Sequence, residues 1–300
     1  MKYGNKYKFT LLGGDRRLAS LAQMLAARGH TVNTALSVED AFFVGVTVYS
    51  DYRAAIEAGD ILVLPMPISK DGLHISCSSA QNDKVLLSDV FDLARKNNIK
   101  HILGGHISPQ ICDLAKQYGI TLEDYSLSEV FLQKNALATA EGGIMIAMEN
   151  TDVTLKDSNV LVGGYGRIAK YICELLRAFG AHITVVARRD EVISEIKDRG
   201  YSAVRVDEYG KLREFMRDSD VIFNTVPALI FGERVLEGKS RAVYIELASC
   251  PGGIDLKEAR QTGMKIVFAP SLPGRYSSKS AGGYIFDAIN ELLSERWIYI

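Results

Sequence analysis

The chain has little of what marks several large protein classes. Its four cysteines, Cys77, Cys112, Cys173 and Cys250, are scattered through 300 residues with no CxxC pair. That spacing supports neither a disulfide framework nor a cysteine zinc site, so reduced thiols and no metal are expected. Excess charge is also missing, since 35 lysines and arginines against 36 aspartates and glutamates leave a formal net charge of −1. Without a bulk field to attract a polyanion, a nucleic-acid partner has no electrostatic support. No apolar run approaches the ~18 residues of a membrane helix, and the opening MKYGNKYKFTLLGGDRR lacks a signal-peptide core, so a cytoplasmic protein without a membrane partner is expected.

What is present is an ordinary globular composition, 47% apolar and 24% charged. The length suffices for two cores, because single cores stop growing near ~250 residues. Short β-type runs alternate with helical stretches, the order of βα units winding a parallel sheet. The first series is KFTLL (8–12), a helix after Asp15 with Leu18, Leu21, Ala22 and Leu25 on one face, then ILVLP (61–65), KHILGG (100–105) and GITLED (119–124), with helices at 83–97 and 109–118. A long helical stretch over 126–149, interrupted by Gly142 and Gly143, reads as a connector. The second series has strands at 159–164, 182–187, 202–206, 220–225, 241–247 and 265–270, with helices at 166–179, 190–199, 208–217 and 255–262. A last helix over 280–294 carries Tyr284, Ile285, Ala288, Ile289 and Leu292 on one face and is expected to pack back on the first domain. The predicted fold is α/β with two doubly wound parallel-sheet domains: 1–149 on the substrate side, 150–279 binding a dinucleotide, and 280–300 as the returning helix.

The second domain opens with VLVGGYGRIAKYICELLRAFGAHITVVARRD (160–190), in which Gly164, Gly166 and Ala169 fill the GxGxxG/A pattern between a strand and a helix. The first glycine permits the turn, the second lets a pyrophosphate approach the backbone, and the small third residue lets helix and strand pack closely. Tyr165, Arg167 and Ile168 belong to the same loop, and the helix N-terminus favours the anion. The next strand ends Ala187, Arg188, Arg189, without the acid that holds a ribose 2′-hydroxyl in NAD enzymes. Two guanidinium groups suit a 2′-phosphate, so NADP is expected, while Asp190 reads as the cap of the following helix. By the same topology Asn224, Thr225 and Pro227, with Ala248 and Ser249, are expected on the nicotinamide side. In the first domain Arg16 and Arg17 begin a helix, where cations oppose the dipole, a placement that suggests an anionic ligand.

Taken together, GGDRR (13–17), TAEGGIMIAMENTDVTLKDSNVLVGGYGRIA (139–169), FNTVPALIFGERVL (223–236), ELASCPGGID (246–255) and APSLPGRYSSKSAGGYI (269–285) resemble the dipicolinate synthase A-subunit family. The resemblance runs from the first strand to the last helix. It implies a flavodoxin-like first domain and a Rossmann second domain, as in D-2-hydroxyacid dehydrogenases. It also implies NADP-linked oxidation of dihydrodipicolinate to dipicolinate in the mother cell of a sporulating bacterium, in partnership with a flavoprotein-like B subunit. A homo-oligomer is expected as well. The chain departs from the family pattern in LPGRYSSKSAG, where Ser278 replaces a proline and Ser280 a threonine, and at Cys250, where some members carry arginine.

A ring with two carboxylates needs cationic or strong donor groups on both sides. Arg16 or Arg17, and Lys279, Ser280 or Arg275 from the loop before the last helix, are the candidates, with Lys279 counted among the catalytic residues. Hydride transfer depends on orientation rather than a nucleophile, but a proton must also leave the ring, and Glu141 in the AEGG segment is the candidate base. A 2-hydroxyacid dehydrogenase is the first alternative. It needs a histidine base late in the cofactor domain, and no histidine follows His182. A dinucleotide-binding regulatory protein without chemistry of its own is the second.

Overall fold

Strand β1 (Lys8–Leu12) is apolar on both faces because both are covered, the usual condition of a parallel strand. Phe9 and Leu11 join a cluster with Leu18, Leu21 and Leu25, while Leu12 joins Ile56, Leu64 and Phe91 on the opposite face. Each fully buried side chain of this size contributes ~1.5–3 kcal/mol. The computed structural model describes residues 6–38, 43–78, 85–238, 240–296, 298 and 300. It divides into two units, Met1–Asn135 with Ser277–Ile300, and Ala136–Tyr276.

In the first unit β1 is followed by α1 (Arg16–Ala27), β2 (Thr31–Ala35), β3 (Val46–Val48), α2 (Tyr52–Glu57), β4 (Ile61–Val63), α3 (Leu87–Lys96), β5 (His101–Gly104), α4 (Pro109–Gln117) and β6 (Leu122–Asp124). The strands are parallel in the order β3-β2-β1-β4-β5-β6. Without β3 this is the 2-1-3-4-5 order of flavodoxin-like sheets, and β3 adds a short edge strand beyond β2. β2, β3 and α2 have no counterpart among the elements expected from sequence. The expected helix over 83–97 begins at Leu87, and its residues 83 and 84 lie outside the described ones.

Helix α5 (Glu129–Asn150) is continuous, so the interruption expected at Gly142 and Gly143 does not occur. Those glycines serve packing instead. A Cβ on Gly142 would sit 2.9 Å from Leu272 Cβ, and one on Gly143 would sit 3.2 Å from Leu247 Cδ1. The helix accepts about 1 kcal/mol of glycine penalty at each position and gains close approach to these side chains.

The second unit continues with β7 (Asn159–Gly163), α6 (Arg167–Phe179), β8 (His182–Ala187), α7 (Asp190–Asp198), β9 (Ser202–Arg205), α8 (Tyr209–Asp218), β10 (Val221–Asn224), β11 (Val243–Glu246), α9 (Leu256–Thr262), β12 (Lys265–Phe268) and α10 (Leu272–Tyr276). Its parallel sheet has the order β12-β11-β10-β7-β8-β9, so the direction of winding reverses between β7 and β10. Ligands of such sheets bind outside the carboxyl ends of the strands at that reversal. Val160 and Val162 pack under α5 and α6, and Leu161 packs with Leu212 and Met216 on the other face.

Helix α11 (Ser278–Ser294) belongs to the first unit and packs on α1. A Cβ on Gly282 would meet the Arg17 carbonyl oxygen at 2.8 Å, Gly283 faces Met24, and the Arg28 guanidinium lies over the Phe286 ring. The two helices therefore run parallel, with their first turns at the same edge of the sheet. Among the described residues no helix is long and apolar enough to cross a membrane.

Candidate functional site

The turn from β7 into α6 is shaped by two glycines with different roles. Gly164 has φ +91°, and a Cβ there would meet Val226 Cγ2 at 2.4 Å, so both conformation and space require glycine. Gly166 has φ −82° and caps α6, with no side chain donating or accepting at the cap. A Cβ on Gly166 would meet nothing within 4 Å. The space over the helix N-terminus is therefore open, which fits a pyrophosphate on the amides. Ala169 is fully buried against the sheet, while Arg167 is exposed and Tyr165 and Ile168 are half-buried. Burial pushes the Tyr165 phenol up to about 12, and the Lys170 ammonium, paired to Glu195 at 2.8 Å, sits over its ring.

At the end of β8 Ala187 is buried and Arg188 and Arg189 are exposed. Among the described residues no ion pair or side-chain hydrogen bond engages either guanidinium. Arg189 occupies the cap of α7 and Asp190 its first helical position, one residue later than the sequence suggested. The Asp190 carboxylate is ion-paired with Arg205 from the end of β9. Arg205 also donates to Asp207 at 3.0 Å, and both carboxylates raise the guanidinium pKa further.

On the other side of the reversal, the side chain of Asn224 is committed within the protein. Its amide nitrogen donates to Glu246 Oε1 at 2.6 Å and to the Val226 carbonyl at 2.9 Å, and its amide oxygen accepts from Val226 N at 3.3 Å. Thr225 donates its hydroxyl to the Gly163 carbonyl at 2.8 Å. Pro227 and Ser249 are exposed and Ala248 is half-buried. These residues follow β10 and β11, but Asn224 and Thr225 shape the loops rather than present free side-chain groups. Glu246, 4% exposed, is not singled out by any sequence motif. Its donors come from Asn224, Tyr244, Ala248 and Gly253, a convergence no local pattern announces.

In the first unit the two adjacent arginines part. Asp15 caps α1 by accepting from Arg17 N at 3.0 Å, and its carboxylate also takes Arg17 Nε and Nη2 at 2.8–3.0 Å. Arg17 Nη2 further donates to the Met66 carbonyl at 2.8 Å, and the residue is 7% exposed. Arg17 thus ties the first turn of α1 to the loop after β4, and Arg16 is the exposed member. Lys279 and Ser280 lie exposed in the first turn of α11, where they help line a hollow of about 580 Å³ with Met24, Arg28, Tyr284 and Asp287. Arg275 belongs to the second unit, where its guanidinium leans on the Tyr276 ring. Glu141 is on an exposed face of α5. Among the described residues no three histidine, cysteine, aspartate or glutamate side chains gather as metal ligands would.

Comparison with known proteins gives this arrangement a lineage. Residues 8–126 match the model of the N-terminal domain of the dipicolinate synthase A-subunit, while residues 134–237 match that of the D-isomer specific 2-hydroxyacid dehydrogenase, NAD binding domain. The second unit thus carries a nicotinamide-dinucleotide-binding domain of dehydrogenase type. The A-subunit of dipicolinate synthase from Bacillus subtilis (strain 168) is 28% identical over 290 residues, 96% of each chain. The crystal structure of the dipicolinate synthase A-subunit from Bacillus halodurans superposes with a TM-score of 0.83 at 28% identity, covering 96% of this chain and 97% of that one. A shikimate dehydrogenase (NADP(+)) of Methanocella arvoryzae is 28% identical over 159 residues, 50% of this chain and 59% of its own. With both sheets, the glycine turn and nearly the whole length in agreement, the chain belongs to the dipicolinate synthase A-subunit family.

Proposed function

We propose that the protein oxidises dihydrodipicolinate to dipicolinate with NADP as the acceptor, together with a B subunit, in the cytoplasm of a sporulating mother cell. The observation that carries the choice of cofactor is the Asp190–Arg205 ion pair beside two unengaged arginines. An acid that would repel a 2′-phosphate is neutralised by Arg205, while Arg188 and Arg189 offer planar, bidentate donors to it. Gly164, Gly166 and the first turn of α6 would hold the pyrophosphate, with Ala187 beside the adenosine and the loops after β10 and β11 on the nicotinamide side.

When bound, NADP supplies a hydride acceptor at its nicotinamide ring. The chain's own residues have two tasks. Arg16, in the first turn of α1, and Lys279 and Ser280, in the first turn of α11, bind the substrate carboxylates; the parallel run of the two helices supports this grouping. Glu141 takes the proton that leaves the ring carbon as the hydride departs, so that the two-electron oxidation balances and the product is aromatic. The B subunit follows from the family, whose name makes this chain one of at least two components.

The test is an assay of the purified chain, alone and with its B subunit, on enzymatically generated dihydrodipicolinate. Reduced nicotinamide and dipicolinate appearing in equal amounts with NADP are the expected result. Absence of NADP-linked turnover in both preparations, or turnover of a 2-hydroxy acid instead, overturns the proposal.

A further inference from the structure

We infer that Glu246 is a positioning residue whose buried carboxylate holds the loops after β10 and β11 in the shape that receives the nicotinamide half of the cofactor. The inference rests on the dinucleotide reading of the second unit and goes beyond it in assigning the loop geometry to one side chain. Both oxygens of Glu246 are fully used. Oε1 accepts from Asn224 Nδ2 at 2.6 Å and Ala248 N at 3.0 Å, and Oε2 accepts from the Tyr244 hydroxyl and Gly253 N, each at 2.8 Å. Among the described residues no lysine or arginine pairs with it. Four donors fill the four acceptor positions, leaving none for a proton on the carboxyl itself.

The donors come from both loops. Asn224 ends β10 and fixes Val226 through its amide, while Ala248 N and Gly253 N bracket the turn after β11. The backbone of that turn lies directly on the network. A Cβ on Gly252 would be 2.8 Å from Glu246 Oε2, and one on Gly253 would be 2.4 Å from Asn224 Nδ2. Gly253 in turn accepts from Ile230 N and Phe231 N, so the clamp extends to the segment after β10. The adenosine side of the fold, at the ends of β7 and β8, takes no part in these bonds. A buried acceptor of this kind is costly to alter, because each donor left without a partner keeps its desolvation penalty.

Glu246→Gln keeps the size of the side chain but turns one acceptor oxygen into an NH2 facing two of the donors. Two nucleotides separate a local effect from a general one: NADP, and adenosine 2′,5′-bisphosphate, which lacks the nicotinamide half. In calorimetric titrations E246Q is expected to bind NADP at least about tenfold more weakly while its affinity for the bisphosphate stays within about twofold of the parent. Tyr244→Phe removes one donor and is expected to act in the same sense by about threefold, and it carries the test if E246Q does not fold. Equal weakening of both nucleotides, or no change in either, overturns the positioning role. If the unaltered protein binds neither nucleotide, alone or with its B subunit, the dinucleotide reading fails first and the inference with it.

Discussion

Arg205, at the end of β9, reaches to the first turn of α7 and ion-pairs with Asp190, the residue that follows Arg188 and Arg189. The acid nearest the end of β8 is thereby drawn toward a cation of its own sheet. The neighbouring arginines remain exposed where the 2′ position of a bound dinucleotide is expected. The choice of cofactor in this account depends on that division of charge.

Replacing Arg188 by alanine should weaken NADP binding by ~1.5–3 kcal/mol, the scale of a lost charged hydrogen bond, and leave NAD nearly unaffected. Replacing Arg205 by alanine should act in the same direction by a different route, releasing Asp190 to repel the phosphate. Titrations of both variants with the two nucleotides check this, and equal losses for NAD and NADP would show that the arginines do not read the phosphate.

The two turn glycines should separate folding from binding. Gly166→Ala meets open space at an ordinary φ, so unfolding stability should change by no more than about 0.5 kcal/mol while nucleotide binding is lost. Gly164→Ala places a side chain at φ +91° against Val226 and should cost about 1–2 kcal/mol from conformation alone, with the overlap added. Urea unfolding and nucleotide titration on the same preparations distinguish the two.

How far the sequence reveals this molecule depends on whether the cause is local. The glycine turn is legible because Gly164, Gly166 and Ala169 act through their own backbone within six residues of chain. β2 is not, since Asn33 interrupts its apolar pattern; that side chain is buried by donating to the Ala58 carbonyl, 25 residues away. β3 is three residues long and largely exposed at an edge, too short for a period to register. Arg16 and Arg17 look alike in sequence and differ only through Met66, 49 residues on from Arg17. Glu246 is invisible for the same reason, as Asn224 comes to it from 22 residues away. The glycines of α5 misled because the penalty they carry is local, whereas the packing that offsets it comes from Leu247 and Leu272.

The parting of the two arginines gives a paired prediction. Arg17→Ala removes the buried partner of a half-exposed carboxylate and should destabilise the protein by about 1–3 kcal/mol, discounted for the solvent that still reaches Asp15. Arg16→Ala should cost less stability than Arg17→Ala and should weaken substrate binding. Chemical unfolding together with the KM for dihydrodipicolinate reads both, and the reverse pattern would exchange their roles.

His30 gives the protein a specific acid sensitivity. Its Nδ1 accepts from Tyr7 N at 3.4 Å, the Phe9 ring packs edge-on against it, and burial followed by the nearby Arg28 lowers its pKa below the ordinary 6.5. The unfolded chain therefore takes up this proton first as the pH falls. The stabilising contribution is complete above pH 6.5 and is lost progressively below it, toward the lowered folded value. Unfolding stability followed from neutral pH downward should decline in this window, and less steeply in His30→Phe; an unchanged slope would remove His30 as the cause.

The central claim is that the second unit binds a nicotinamide dinucleotide by its glycine turn and prefers the 2′-phosphorylated form. Isothermal titration calorimetry of the protein with NADP and with NAD, alone and with the B subunit, tests it most directly. The account predicts saturable binding of both, tighter for NADP. Absence of any heat of binding with either nucleotide, even in the assembled complex, would contradict it.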